Sequence, residues 1–259
     1  MLNVDSVSVM VGPRILLRDI SVSVCHGENW AILGANGVGK SSLLRVLSGI
    51  TQSQTGTVSI DGVPIGRMSR KKLATKIGLL PQIEEHHYWG SVRDYVGLGR
   101  YAHNVGFWGQ SKDDEIAIDR AIDLIGVAPL SCRDYLSLSG GEKQRVRIAS
   151  LMSQEPVFSL WDEPLENLDY AGQMNFLMWL STNVQSQTKA SLAVIHDINL
   201  AARFFSHVML LYPDGTLTVG PRDDVLSLAN IENLYQTQFE EVEHHGVKLF
   251  VPESRLRRI

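Results

Sequence analysis

Apolar residues at Leu2, Val4, Val7 and Val9, and again at Ile20, Val22 and Val24, alternate with polar ones at the two-residue period of half-buried strands. Gly12-Pro13-Arg14 separates the two runs, so the pattern predicts an antiparallel hairpin at the start of the chain. Later runs are of another kind: Trp30 to Leu33, Ile77 to Leu80, Val157 to Trp161, Ala190 to Ile195 and Val208 to Tyr212 are short and nearly unbroken. Strands buried on both faces read this way, which predicts a parallel sheet covered by helices. The long stretch between Leu80 and Val157 carries helical spacing instead, clearest in SVRDYVGLGR and DDEIAIDRAIDLIGV, with Ile116, Ile122 and Ile125 as recurring apolar positions. It is too long for an ordinary crossover, so residues 86–150 are expected to form an inserted helical subdomain and residues 1–85 and 151–259 the rest of the fold. Near the C-terminus, VEHHGVKLFVP predicts a small hairpin turning at His245-Gly246.

Composition narrows the partners. The 259 residues are 44% hydrophobic, enough for a substantial core. A formal net charge of −4 offers no general pull toward nucleic acid or anionic lipid, which argues against a basic-patch nucleic-acid binder. Cys25 and Cys132 lack CxxC or metal-ligand spacing and suit a reducing compartment as ordinary thiols. The N-terminus has no basic start followed by an apolar block, so the mature chain is expected to begin at Met1. No apolar run reaches the roughly 18 residues of a membrane span. If the protein serves a membrane, another chain is expected to cross it.

Three segments carry candidate chemistry. Gly34-Ala35-Asn36-Gly37-Val38-Gly39-Lys40-Ser41, followed by Ser42, fits G-x-x-x-x-G-K-S/T between an apolar strand and a stretch that reads as helix. Its glycines let successive backbone N–H groups face one anion, Lys40 is placed to reach β and γ phosphates, and Ser41 to ligate Mg²⁺. A ligand-free strand-to-helix turn is the alternative, and the flanking elements weigh against it. Asp162 and Glu163 end an apolar strand; Asp162 is the candidate metal residue, usually through water, and Glu163 the candidate general base. A solvated Asp-Glu-Pro turn is the bland reading there, and it loses weight beside the phosphate loop. Ser139-Gly140-Gly141 reads as an N-cap and a second anion-accepting helix start, although SGGE taken alone would suit an ordinary capped helix.

In this order the motifs resemble those of the nucleotide-binding subunits of ABC transporters, over essentially the whole chain. GANGVGKS is similar to that family's Walker A, LLPQ with Gln82 to its Q-loop, LSGGE to its signature and FSLWDE to its Walker B. NLD with Asp169 is similar to its D-loop at the nucleotide, and VIHD with His196 to its switch histidine. The resemblance implies an α/β fold: a P-loop (RecA-like) core with an antiparallel β subdomain and an inserted helical subdomain. It also implies a homodimer arranged head to tail, each ATP bridging Lys40, Ser41 and Ser42 of one copy and Ser139, Gly140 and Gly141 of the other. Glu163 would activate water, His196 contact the γ-phosphate, and Gln82 sense Mg²⁺ and water. Flanking segments such as HDINLAARFFSHVMLLYPDGTLTVGPRDDVLS are similar to the ATPases of importers for iron–siderophore complexes, haem and vitamin B12. That similarity implies separate transmembrane permease subunits, a substrate-binding protein acting through them, and a peripheral place at the cytoplasmic face of the inner membrane. An ABC subunit for another cargo, a non-transport ABC ATPase and a nucleotide-dependent structural partner are the alternatives. Tandem cassettes, a long basic linker or a coiled-coil insertion would mark the second, and none is present. Intact Lys40, Glu163, LSGGE and His196 argue against the third.

The chain departs from that family's pattern in places. Val11 stands where an aromatic residue commonly stacks on adenine, and Trp161 is bulkier than the usual aliphatic residue before the aspartate. Glu166 and Asn167 replace small D-loop residues, and Glu166 is expected near the dimer seam. The pairs His86-His87 and His244-His245 lack partners at ligand spacing and read as solvated loop rather than metal ligands. RLRR, residues 255–258, reads as a solvated tail, and Tyr88-Trp89 equally as a partner contact or as internal packing.

Overall fold

A computed structural model describes residues 1–82, 88–103, 111–184, 188–244 and 246–253. The chain opens with β1 (Leu2–Val11) and β2 (Arg14–Val24), followed by β3 (Asn29–Gly34), α1 (Lys40–Leu47), β4 (Thr55–Ile60), β5 (Val63–Pro64), α2 (Arg70–Lys76) and β6 (Ile77–Leu80). Helices α3 (Val92–Gly97), α4 (Lys112–Leu124) and α5 (Gly140–Gln154) come next, then β7 (Phe158–Asp162), α6 (Tyr170–Val184), β8 (Ala190–Val194), α7 (Ile198–Phe204), β9 (His207–Leu211) and β10 (Leu217–Pro221). Two short helices, α8 (Arg222–Val225) and α9 (Leu228–Tyr235), lead to β11 (Phe239–His244) and β12 (Val247–Pro252).

Each unbroken apolar run is a strand of one sheet, ordered β10-β9-β3-β8-β7-β6 and parallel except at its β9-β10 edge. The reason the runs are unbroken is that the sheet separates two cores. Ala31, Leu33, Trp161, Ala193 and Leu210 face one, and their neighbours Ile32, Leu160, Val194 and Met209 face the other. The N-terminal hairpin is present and belongs to an antiparallel sheet, β2-β1-β4-β5. Helix α1 lies between the two sheets: Leu43, Leu44 and Leu47 share a cluster with Leu2, Val4 and Leu17 on one side and Ile32, Leu160 and Val194 on the other. The phosphate loop therefore leaves a central strand and enters a helix clamped from both faces.

Between β6 and β7 the elements are helical, as the spacing predicts, with one difference of register. Ile116 is 65% exposed, and the buried stripe runs through Ala117, Ile118, Ala121, Ile122 and Ile125. Residues 116 and 122 are six apart, which places them on different helix faces. Helices α3, α4 and α5 each begin with a capping box, Ser91 with Asp94, Ser111 with Asp114 and Ser139 with Glu142. The C-terminal hairpin is also present, with His244 opposite Val247. His245, the His86-His87 pair and residues 255–258 lie outside the described residues.

Candidate active site

The phosphate loop is held open by its own backbone. Gly39, at φ +113°, is the N-cap of α1 and has no side-chain cap, and the helix has no acidic residue in its first turn. Its first N–H groups and the positive dipole end are thus available to an anion. Lys40 is buried, and its Nζ donates to the carbonyls of Gly34 at 2.8 Å and Ala35 at 3.0 Å. Burial lowers its proton affinity, and the neighbouring charges of Glu163 and Asp162 oppose that shift. Val38 turns its side chain into the core, so only its backbone can serve the cradle.

The acids arrive at the end of β7. Asp162 is buried and accepts from Ser41 Oγ at 3.0 Å. Burial pushes its carboxyl above the ordinary range, and the Ser41 bond offsets part of that. A buried carboxylate beside a hydroxyl is a hard oxygen pair of the kind that suits Mg²⁺. Among the described residues no group of three or more His, Cys, Asp or Glu could hold a metal ion. Glu163 follows with a left-handed backbone, φ +51°. Its Oε2 accepts from Gln82 Nε2 at 2.8 Å and its Oε1 lies 3.1 Å from His196 Nε2.

One cavity of about 610 Å³ unites Asn36, Gly37, Gly39, Lys40, Ser41 and Ser42 with Gln82, Glu163 and His196. A cavity of similar size, about 580 Å³, opens beside Ile50 and Leu73 and has Arg70 as its one ionisable residue, so the chemistry lies in the first. Ser139, Gly140 and Gly141 do not line it. They start α5, and a Cβ on Gly141 would stand 2.7 Å from the Asn167 carbonyl, so the signature turn rests on the loop after β7. Asp169 is likewise outside the cavity; its Oδ1 accepts from the Gly172 N–H at 2.8 Å.

Glu166 lines the cavity of its own chain together with Glu163 and Gln82. Its carboxyl is held above the usual range, first by its hydrogen bond with Glu163 and then by burial. Two further residues were not singled out from sequence. Leu16 supplies the cavity's apolar wall, while Val11 is 56% exposed and does not line it. The one sequence signal for Leu16 is the break in alternation at Ile15-Leu16-Leu17. Arg147, on α5, donates to the carbonyls of Pro81 and Gln82 and, at 2.8 Å, to Gln144 Oε1. Trp161 has a structural place, packed edge-on against Phe176 and Trp179 with its N–H on Ser159 Oγ. Of the aromatic pair, Tyr88 packs edge-on against Tyr95 and Tyr135, and Trp89 is 80% exposed.

Comparison with known proteins agrees with this geometry. The model of the ABC transporter family matches residues 17–166. The iron(3+)-hydroxamate import ATP-binding protein of Bacillus subtilis (strain 168) is 34% identical over 242 residues, 93% of this chain and 90% of that protein. The hemin import ATP-binding protein of Rhodococcus jostii (strain RHA1) is 33% identical over 261 residues, 99% of this chain and 87% of that one. Among solved structures, a metal-chelate type ABC transporter in an inward-facing conformation superposes with a TM-score of 0.82 at 26% identity, covering 98% of each chain. No described helix is long and apolar enough to cross a membrane. With the family match running over more than half of the chain and the relatives over nearly all of it, the chain belongs to the ABC transporter family and is one of its ATP-hydrolysing subunits.

Proposed function

We propose that this ATPase energises the uptake of a metal chelate, of the iron–siderophore, haem or vitamin B12 class. It works from the cytoplasmic face on separate permease subunits, to which a substrate-binding protein delivers the cargo. Relatives named for hydroxamate and hemin import match it over nearly its whole length, which supports that cargo class. In the division we assign, residues 1–85 and 151–259 form the ATP-binding core and residues 86–150 the helical subdomain, with α5 crossing from one to the other.

The convergence of Lys40, Ser41, Glu163, Gln82 and His196 around one cavity, with Asp162 hydrogen-bonded to Ser41, supports their roles. Backbone N–H groups from Gly34 to Ser42 and the Lys40 ammonium hold the β and γ phosphates. Ser41, Asp162 and Gln82 are the residues that would hold Mg²⁺, which neutralises phosphate charge when bound. Glu163 takes a proton from water as the water oxygen attacks the γ-phosphorus; the bond to the β-phosphate oxygen breaks and ADP leaves. His196, within reach of Glu163, contacts the γ-phosphate. Ser139, Gly140 and Gly141, exposed or half-exposed and outside this cavity, are offered to ATP held by a second copy, and Asp169 shapes the loop between the two sites. ATP binding closes the two copies and hydrolysis reopens them.

The Glu163→Gln variant tests the assignment. It should bind ATP with near-normal affinity and lose turnover by about a hundredfold or more, the usual contribution of a positioned base. Normal turnover in that variant would remove Glu163 from its role.

A further inference from the structure

We infer that Gln144 is a positioning residue for the reaction: its side chain is the strut that sets Glu163 beside Gln82. The inference rests on the roles proposed above for those two residues and adds to them a buried amide of α5 that does not itself line the cavity.

The need for a strut lies in the backbone. Glu163 takes a left-handed conformation, φ +51°, and Asn167 does the same at +61°. Such conformations are uncommon outside glycine and persist where the surrounding structure over-determines them. The Glu166 N–H closes the turn on the Glu163 carbonyl at 3.2 Å. Two side chains hold the turn from outside: Gln144 Nε2 donates to the Pro164 carbonyl at 3.1 Å, one residue after Glu163, and Gln173 Nε2 to the Leu165 carbonyl at 3.2 Å.

The other end of the Gln144 amide faces the segment that carries Gln82. Its Oε1 accepts from Arg147 Nη1 at 2.8 Å, and Arg147 donates to the carbonyls of Pro81 and Gln82. Gln82 Nε2 in turn donates to Glu163 Oε2 at 2.8 Å. These bonds close a ring: from Gln144 to Pro164, along the chain to Glu163, across to Gln82, and through Arg147 back to Gln144. A closed ring fixes the separation of its members more tightly than any one of its bonds does. Gln144, 5% exposed, is the side chain that joins the two sides. Its amide has one usable orientation, because the reverse would set the nitrogen against a guanidinium and the oxygen against a carbonyl. The strut therefore has one length.

The test uses Gln144→Glu and Gln144→Leu in the full chain. Glutamate keeps the shape and the acceptor for Arg147 but sets an oxygen against the Pro164 carbonyl; leucine removes both bonds. One readout is amide hydrogen exchange over residues 164–168 without nucleotide. The other is kcat and KM for ATP, with Glu163 intact and with Glu163→Gln. We expect Gln144→Glu to speed exchange in that loop and to lower kcat about tenfold to a hundredfold, as a displacement of a reacting group by about 1 Å does, with KM within about twofold. Gln144→Leu should lose at least as much. Added to Glu163→Gln, Gln144→Glu should lower the residual turnover by no more than about twofold, because the base that the strut places is already gone. Wild-type kcat or wild-type exchange in Gln144→Glu would overturn the inference, even where Gln144→Leu fails to fold. A further loss of about tenfold on top of Glu163→Gln would also overturn it, since Gln144 would then act through something other than Glu163. Failure of the underlying assignment has a separate signature, normal turnover in Glu163→Gln alone, and leaves the exchange result standing.

Discussion

Lys40 holds its ammonium inside the phosphate loop, against the Gly34 and Ala35 carbonyls. Phosphate oxygens therefore meet a fixed cation instead of recruiting a mobile one. Lys40→Met, close in shape but uncharged, should leave the fold intact and weaken ATP binding about tenfold to a hundredfold, as lost charged hydrogen bonds do. Titration with a fluorescent ATP analogue would measure this, and unchanged affinity would show that the backbone alone suffices. Gly141 gives a second residue-scale prediction. An alanine there would push the Asn167 carbonyl, 2.7 Å from the new Cβ, and disturb the loop that carries Glu166. Gly141→Ala should keep ATP binding and lose turnover. The lysine, serine and acids of the cavity were legible as sequence motifs because neighbouring backbone positions them. The place of Glu166 was not, since it depends on a left-handed Glu163 that no local pattern announces.

At the scale of elements, α5 reaches both the loop that follows Glu163 and the backbone at Gln82. Gln144 holds the loop after β7, and Arg147 holds the carbonyls that end β6. One helix therefore carries the signature turn at its N-terminus and hydrogen-bonds both the loop that follows Glu163 and the backbone at Gln82. Arg147→Leu should lower kcat more than it raises KM, and equal effects on both would argue against this role. The same helix is tied to α4 from its other end. Arg100 Nε pairs with Asp114 at 2.8 Å in a buried site, and its Nη1 donates to the Ser153 carbonyl at 2.7 Å. Arg100→Met strands the Asp114 charge and should destabilise the chain by about 3–5 kcal/mol in urea unfolding.

That pair also sets a pH dependence. Burial alone would raise the Asp114 carboxyl, but hydrogen bonds from Arg100 and Ser111 outweigh it and hold it below the ordinary range. A carboxylate depressed on folding stabilises above its ordinary pKa, and the contribution is lost as pH falls through the lower folded value. Acid titration of stability should accordingly show wild type and Asp114→Asn furthest apart near neutral pH and converging in acid. Elements with a strong period were readable in advance: both hairpins, the five buried strands and the helices between β6 and β7. Strands β4 and β10 were not, because Gly56 stands at an apolar position of one and leaves only Val58 and Ile60 to mark it, and the other is only half-buried. The face of α4 was misread at Ile116 because an exposed isoleucine counts the same as a buried one in a sequence pattern.

On the scale of the whole molecule, the phosphate loop and the signature turn, the two anion grips we propose, do not meet within one chain. The phosphate loop shares a cavity with Glu163 and Glu166, and the signature turn stands outside it, at the N-terminus of α5, where Ser139 and Glu142 form a capping box. A self-contained ATPase has no use for the second grip; two copies facing each other use both. The most direct measurement is the solution mass of Glu163→Gln with and without ATP and Mg²⁺, by light scattering, together with Glu163→Gln carrying Ser139→Arg. The account predicts one chain without nucleotide, two with ATP, and one again when Ser139→Arg blocks the signature turn. A Glu163→Gln chain that binds ATP and remains single, or a pair that forms regardless of Ser139→Arg, would contradict it.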